Sequence, residues 1–389
     1  MFLTIERASA IIAGALFFIM KVLSLFANVG FGEYYFSSHN FNVVVANELL
    51  DDRVEFYRKF HSNSIDLIAG DIAKQTTKNN IQDACEKHGN IDLIMATPPC
   101  QGMSIANAQK DKDDIRNTLI VHAMEVFNKV KPKYMLIENV PQMAKTFINY
   151  EGDTINILKF IKSQLPEGFE CHCKVLNAKN LGTAQSRSRS ICLISKNGIW
   201  QHPKSFEEII TMRDVIDDFA KFPTLNQSEN SDEWDIPWHF APKHNAKHVE
   251  WMTNTGTGKT AFDNEVHYPH VIEDGQKRMI SGFKTTYKRM EWDSPAPTVT
   301  MTNGSISSQN NVHPGRKYVD GTYSDARVLT IRELLAICGL PIDCLDKFAK
   351  KDDDGSYKYD YSPNFIRKVI GEMFLPQMAL SIVKPLQDL

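Results

Sequence analysis

The chain has 389 residues, 42% hydrophobic and 23% charged, an ordinary globular composition with length for one large core and a smaller domain. Its 44 Lys and Arg against 47 Asp and Glu give a net charge of −3, which neither points to nucleic acid nor excludes a basic groove on an acidic body. Seven cysteines without a C-x-x-C argue against a disulfide-stapled secreted scaffold and for reduced thiols in a cytoplasmic protein.

The first apolar run, "ASAIIAGALFFIM" (Ala8 to Met20), is too short to span a bilayer before Lys21, and Glu6 and Arg7 cancel ahead of it. It is expected to be a helix or strand packed on the main sheet, with no membrane role. From Lys21 to about residue 195, short β-rich runs alternate with helical ones. "KVLSLF", "NVVVANE", "IDLIMA", "YMLIEN" and "SICLIS" read as buried strands, with helices near 51–61, 78–88, 114–130 and 152–164. That alternation predicts an α/β fold, a doubly wound, Rossmann-like parallel sheet with helices on both faces.

After about Gly198 the texture changes. The stretch from Thr224 to His248 is polar, aromatic and weakly periodic, and predicts a smaller irregular domain. Helical periodicity returns at "TIRELLAICGLP" and in "NFIRKVIGEMFLPQMALSIVKPL". The expected division is 1–200 for a first domain, 201–325 for a second, and 326–389 for helices returning to the first.

In "LFANVGFGE" the first strand turns towards a helix, where backbone N–H groups of an open α/β sheet meet ligands. Gly30 and Gly32 permit close approach there. Glu48 closes the second strand about twenty residues later, the usual place for an acid gripping ribose hydroxyls. The "GDI" after the third strand, with Asp71 and Ile72, suits an adenine edge. These residues point to an adenosine-type cofactor without choosing between a dinucleotide and a sulfonium.

"IDLIMATPPCQGMS" ends a buried strand in Pro98-Pro99 and presents Cys100 at the corner. A thiolate is the strongest side-chain nucleophile when exposed and activated. The next strand ends at "IENVP", placing Glu138 at the same edge, where a buried carboxyl can hold or share a proton. In "AQSRSRSICLIS", Gln185, Arg187 and Arg189 lead into another strand, and the alternation predicts that the two arginines point together. An inert core cysteine, a capping glutamate and solvent-facing arginines are the plain readings of each residue alone. Their joint occurrence at successive strand ends is what argues for chemistry.

These stretches resemble the DNA cytosine-5 methyltransferase family, in the family's order through most of the chain. "PPCQG" is similar to its nucleophile motif, "ENV" to its acid motif and "QSRSR" to its Q-x-R-x-R motif. "LFANVG", "DIRNTL", "WDSPAPTVT" and "RVLTIRELLAICGLP" resemble further blocks. The resemblance implies catalysis for the first domain and target recognition for the second. It implies methyl transfer from S-adenosyl-L-methionine to carbon 5 of a cytosine flipped out of double-stranded DNA. Cys100 would attack carbon 6, Glu138 would engage N3, and Arg189 would stabilise the base. Arg187 would help hold the catalytic loop. It implies cofactor contacts from Phe26, Ala27, Gly30, Glu48, Leu49, Asp71, Ile72, Pro98, Leu119 and Glu372. Contacts to DNA would come from Gln101, Ser104, Asn139, Gln185 and Thr298. The implied setting is a restriction–modification system, with a short target site, a monomeric enzyme and a cognate endonuclease as genetic partner.

Two departures from the family pattern stand beside the expected cofactor. Ser24, Asn28 and Phe31 replace its usual Asp, Gly and Gly, and Glu372 replaces an Asn. "TGTGKTA" lacks the first glycine of a phosphate loop, Thr253 standing in its place. His239, His244 and His248 lack the Cys or acidic complement of a metal site, so no metal is expected. That His/Lys segment is expected to face phosphate instead. The other readings are a transfer-RNA cytosine-5 methyltransferase, an inactive DNA- or adenosine-binding module, and a nicotinamide oxidoreductase. The first should lack a sizeable recognition domain, the second conflicts with intact Cys100, Glu138 and Arg189, and the third lacks a full G-x-G-x-x-G.

Overall fold

A computed structural model describes residues 18–61, 64–99, 118–225 and 235–389. Cys100, Gln101 and Ser104 lie outside the described residues, as do nearly all of the apolar run at 8–20 and most of "DIRNTL".

The elements run β1 (Met20–Leu25), β2 (Phe41–Glu48), α1 (Asp51–Phe60), β3 (Asp66–Ala69), α2 (Gln75–His88), β4 (Leu93–Ala96), α3 (Leu119–Val130) and β5 (Tyr134–Asn139). A small hairpin, β6 (Phe147–Tyr150) and β7 (Asp153–Asn156), precedes α4 (Ile157–Ser163), β8 (Phe169–Asn177) and β9 (Ser188–Lys196). One seven-stranded sheet has the order β3-β2-β1-β4-β5-β9-β8. Its first five strands are parallel, as the buried β-branched runs predict, but β9 pairs antiparallel with β5. The sheet is therefore mixed rather than parallel throughout. The 178–187 connection between β8 and β9 is shorter than the dozen or so residues that a parallel crossover takes.

The described chain divides into two units. The first holds the sheet up to Val175, Arg189–Pro203 and Leu380–Leu389. Its core lies between β1, β2, β4, β5 and β9 and the helices α2, α3 and α4, with Leu23, Leu25, Ile94, Phe127, Ile137 and Ile194 fully buried. The C-terminal segment belongs here because Trp200, wholly buried, donates its indole N–H to the Ile382 carbonyl at 3.2 Å.

The second unit comprises Leu176–Ser188 and Lys204–Ala379. It contains α5 (Met212–Ile216), α6 (Ala246–Thr253), the hairpin β10 (His270–Glu273) and β11 (Gln276–Met279), α7 (Ile331–Ile337) and α8 (Pro363–Glu372). The segment 326–379, expected to return to the first domain, groups with this unit instead. Arg327, fully buried, donates to both oxygens of Glu333 (2.8 and 2.9 Å) and to Asp325 (3.0 Å). Arg367 on α8 reaches the carbonyls of Asn303 and Leu329 at 3.2 and 2.7 Å.

Irregular backbone needs donors for carbonyls that no ladder satisfies, and buried arginines supply them. Arg289 donates to the carbonyls of Met252, His313, Ser324 and Asp325. Its guanidinium fills the space beside Gly315, where a Cβ would come within 2.3 Å of Nη1 and where φ is +72°. Pro363–Asp388 is long and apolar enough by composition to cross a membrane, yet 72% of its apolar window is buried inside the protein.

Candidate active site

Register gathers the expected residues of the first unit at one sheet edge. Leu25 pairs with Asn47 on one side and Ala96 on the other, and Ala96 pairs with Ile137. The ends of β1, β2, β4 and β5 therefore lie in a row, the edge at which open α/β sheets bind ligands. Because β9 runs antiparallel, its beginning reaches the same edge, with Ser190 opposite Asn139 and Ile191 opposite Glu138.

Arg189 is two residues from Ile191 and so shares the face of Glu138. Its Nε lies 2.7 Å from Glu138 Oε1, and both side chains are nearly buried. Arg187 does not join it. Its guanidinium donates to the carbonyls of Val299 (2.9 Å) and Gly371 (3.0 Å) within the second unit. The two arginines therefore make separate contacts. Strand alternation cannot align them, since Arg187 precedes the first residue of β9.

The turn leading to Cys100 is clamped. Thr97 donates its hydroxyl to the Phe26 carbonyl at 3.1 Å, tying the end of β4 to the end of β1. Asn139 donates its amide to the Pro98 carbonyl at 3.1 Å and accepts from Val140 N at 2.8 Å. Asn139, expected to touch DNA, is thus buried and joins the proline turn to the end of β5. Gln185, also expected at DNA, is buried too. It accepts from Val299 N at 3.2 Å and donates to Cys338 Sγ at 3.1 Å. Thr298 is exposed and donates to the Ser186 carbonyl at 2.8 Å. The Q-x-R-x-R lead-in and "PAPTVT" accordingly pair as extended segments, Ser186 N donating to Ala296 O.

The loop after β1 has three left-handed residues: Phe26 (φ 58), Asn28 (φ 52) and Gly30 (φ 76). Asn tolerates this region, which accounts for Asn28 in place of a glycine. A bulky residue such as Phe26 rarely adopts it, and such strain clusters at ligand sites. At Gly30 a Cβ would come within 2.1 Å of the His61 ring and 2.6 Å of the Tyr57 ring. Phe31 turns inward onto Phe56 and Phe60, with ring centroids 5.8 and 5.2 Å away.

Glu48 holds this loop from below. Its Oε2 accepts from Asn28 N (2.8 Å), and its Oε1 accepts from Leu49 N (2.9 Å) and Leu50 N (3.0 Å). A carboxylate has about four acceptor positions, so about one is left. Beside it, Leu49 is 56% exposed, an apolar surface next to a hydrogen-bonding edge. Asn47 donates to the carbonyls of Ile68 (2.9 Å) and Gly70 (3.0 Å), placing Asp71 and buried Ile72 along the same edge. Leu119 opens α3 and packs on the core, Ala27 and Pro98 are buried, and Glu372 ends α8 in the second unit.

Sequence reasoning did not foresee a polar cluster behind the loop. The buried atoms Asn28 Oδ1, Ser24 Oγ, Glu33 Oε1 and Tyr57 Oη have no hydrogen-bond partner among the described residues. Burial pushes the Glu33 carboxyl up to about 7. The visible signal was Ser24 standing where the family has an acid, with another acid nine residues later.

In the His/Lys segment two histidines turn inward, while Lys243 and Lys247 stay exposed. His239 is buried between the Pro223 carbonyl (2.9 Å) and the Thr330 hydroxyl (3.3 Å). His244 accepts from Val328 N at 3.2 Å, and burial lowers its pKa to about 4, so it is neutral at physiological pH.

The family model for C-5 cytosine-specific DNA methylase matches residues 20–388. Type II methyltransferase M1.HgaI of Avibacterium volantium is 36% identical over 93% of this chain and 96% of its own. Type II methyltransferase M1.HphI of Haemophilus parahaemolyticus is 29% identical over 83% and 78%. Among solved structures, a Spodoptera frugiperda DNMT2 covers 95% of this chain and 100% of its own at TM-score 0.57 and 14% identity, a likeness of fold. With its strand ends, its Glu138–Arg189 pair and its relatives in agreement, the chain belongs to the C-5 cytosine-specific DNA methylase family and is a DNA (cytosine-5)-methyltransferase.

Proposed function

We propose that the enzyme methylates carbon 5 of a specific cytosine in double-stranded DNA, using S-adenosylmethionine, through a covalent adduct of Cys100 with a flipped base. The observation that carries this reading is the Glu138–Arg189 pair, 2.7 Å apart beside the clamped turn that leads into Cys100.

The residues present fit an adenosine cofactor. The left-handed loop at 26–30 leaves Asn28 Oδ1 buried without a partner among the described residues, and exposed Leu49 adjoins Glu48. Phe26, Ala27, Gly30, Glu48, Leu49, Asp71, Ile72 and Pro98 would hold it, Glu48 offering its remaining acceptor position to ribose. Leu119 completes the proposed contacts of this unit. When bound, S-adenosylmethionine supplies an electrophilic methyl group on a sulfonium.

Flipping the cytosine out of the duplex, at a cost of a few kcal/mol, brings carbon 6 to the thiol. The Cys100 thiolate bonds to carbon 6, and Glu138 holds or protonates N3 as charge develops there. Carbon 5, now part of an enamine, takes the methyl group. Loss of its proton restores the 5,6 double bond and expels Cys100 as thiolate. Arg189 fixes the Glu138 carboxyl and the base. Arg187, which joins Val299 to Gly371, is a positioning residue. Gln101 and Ser104 are proposed DNA contacts beside Cys100, and exposed Thr298 is another.

The relatives are named Type II methyltransferases, which supports a restriction–modification setting; a cognate endonuclease as genetic partner and a monomer working in the cytoplasm belong to the same proposal. Incubation with labelled cofactor and duplex DNA, followed by mapping of 5-methylcytosine, tests the reading. Label in 5-methylcytosine at one sequence context supports it, and label on an exocyclic amine or none at all defeats it.

A further inference from the structure

The hairpin β10–β11 pairs His270 with Met279, Val271 with Arg278, Ile272 with Lys277 and Glu273 with Gln276. Its two-residue turn, Asp274-Gly275, is left-handed at both positions (φ 51 and 76), the geometry that matches strand twist. Every residue from Val271 to Met279 is exposed, on both faces. An isolated two-stranded hairpin is marginal in water, and this one is anchored at its base. His270 is buried, with Nδ1 2.8 Å from the Tyr268 carbonyl and its ring 5.7 Å from that of Trp251.

Opposed residues of an antiparallel pair share a face. His270, Met279, Ile272 and Lys277 therefore occupy the anchored face, and Val271, Arg278, Glu273 and Gln276 the outer one. On the outer face Arg278 donates to Glu273 Oε1 at 2.7 Å, while the two side chains stay 70% and 49% exposed. The guanidinium fork is oriented without being covered.

We propose that this ribbon enters the major groove of the DNA substrate, where Gln276 and Arg278 read base edges. The inference rests on duplex DNA being what this chain methylates. A four-residue strand rises about 13 Å, the length of roughly four base pairs, and the groove, about 12 Å wide, admits a two-stranded ribbon. An arginine fork matches guanine O6 and N7, and a glutamine amide matches adenine N6 and N7. Glu273 and Asp274 balance Lys277 and Arg278. The ribbon thus offers a hydrogen-bonding pattern rather than bulk attraction, and base contacts are what specify sequence. Lys277, on the other face, is placed for phosphate.

The test uses full-length wild type, Gln276→Ala, Arg278→Ala, Arg278→Lys and Lys277→Ala on a library of randomised duplexes. 5-Methylcytosine is mapped by sequencing, and thermal melting is followed in parallel. Arg278→Ala and Arg278→Lys are expected to melt as wild type and to lose about 10-fold to 100-fold discrimination at one base pair. Gln276→Ala is expected to relax a neighbouring position. Lys277→Ala is expected to weaken all sequences alike and lower the salt slope by about one. Arg278 and Gln276 variants that fold and keep the wild-type sequence profile overturn the assignment. Wild type that methylates no duplex fails the substrate reading itself, a result visible before any variant is compared.

Discussion

Arg189 Nε lies 2.7 Å from Glu138 Oε1, across a strand pair whose antiparallel register alone brings the beginning of β9 to the end of β5. Had β9 been parallel, its first residues would lie at the opposite edge of the sheet from Glu138. The reversal the sequence did not predict is what assembles the acid with its arginine.

Removing one member of a nearly buried pair leaves the other uncompensated, at about 3–5 kcal/mol. Arg189→Met is therefore expected to destabilise the enzyme more than the double variant Glu138→Gln/Arg189→Met. Turnover is expected to fall at least about 100-fold in each. Urea unfolding of the single and double variants, with initial rates alongside, checks both. A loss in the double variant equal to the sum of the Glu138→Gln and Arg189→Met losses would show that the pair is not coupled.

Glu33 makes stability depend on pH in an unusual direction for an acid. Its carboxyl is raised by burial from an ordinary value near 4.5 to about 7. The folded state therefore binds the proton more tightly than the unfolded one. Its contribution is fully present below about pH 4.5 and is lost as pH rises through about 7, a change of about 3 kcal/mol. Glu33→Gln, which cannot ionise, is expected to flatten this dependence and to be more stable than wild type at pH 8. Unfolding midpoints at pH 5.5 and pH 8 for both proteins decide it. A wild-type midpoint that does not fall with pH would contradict the assignment.

Gly371 is a close-approach glycine rather than a flexible one. A Cβ there would stand 2.4 Å from the Thr300 carbonyl oxygen, and its own carbonyl accepts from Arg187. Gly371→Ala is expected to cost about 1–3 kcal/mol through overpacking. Arg187→Lys is expected to lose the two-carbonyl bridge as well, and denaturant unfolding measures both. Wild-type stability in both variants would remove the structural role given to Arg187.

Much of the catalytic sheet was legible because its strands are apolar runs that end in Gly, Pro or an acid. Glu48, Glu138 and the proline turn all lie at strand ends, where sequence position translates directly into place. The second unit was legible only as irregular. It is held by Arg289 and Arg367 donating to carbonyls far away in sequence, and by Arg327 paired with the buried carboxylates of Asp325 and Glu333, a pattern with no period. For the same reason no period in 326–379 tied it to the second unit, with which it groups. The inward turns of Asn139 and Gln185 were equally hidden, since a polar residue beside a motif reads as a ligand contact until its partners are known.

The central claim is that Cys100 bonds to carbon 6 of cytosine. Duplex DNA carrying 5-fluorocytosine at the methylated position tests it most directly, because fluorine at carbon 5 blocks the final elimination. With cofactor present, wild type is expected to form a complex that survives denaturing electrophoresis, and Cys100→Ala is expected to form none. A wild type that turns over ordinary DNA yet never traps, or a trap that persists in Cys100→Ala, would contradict the mechanism.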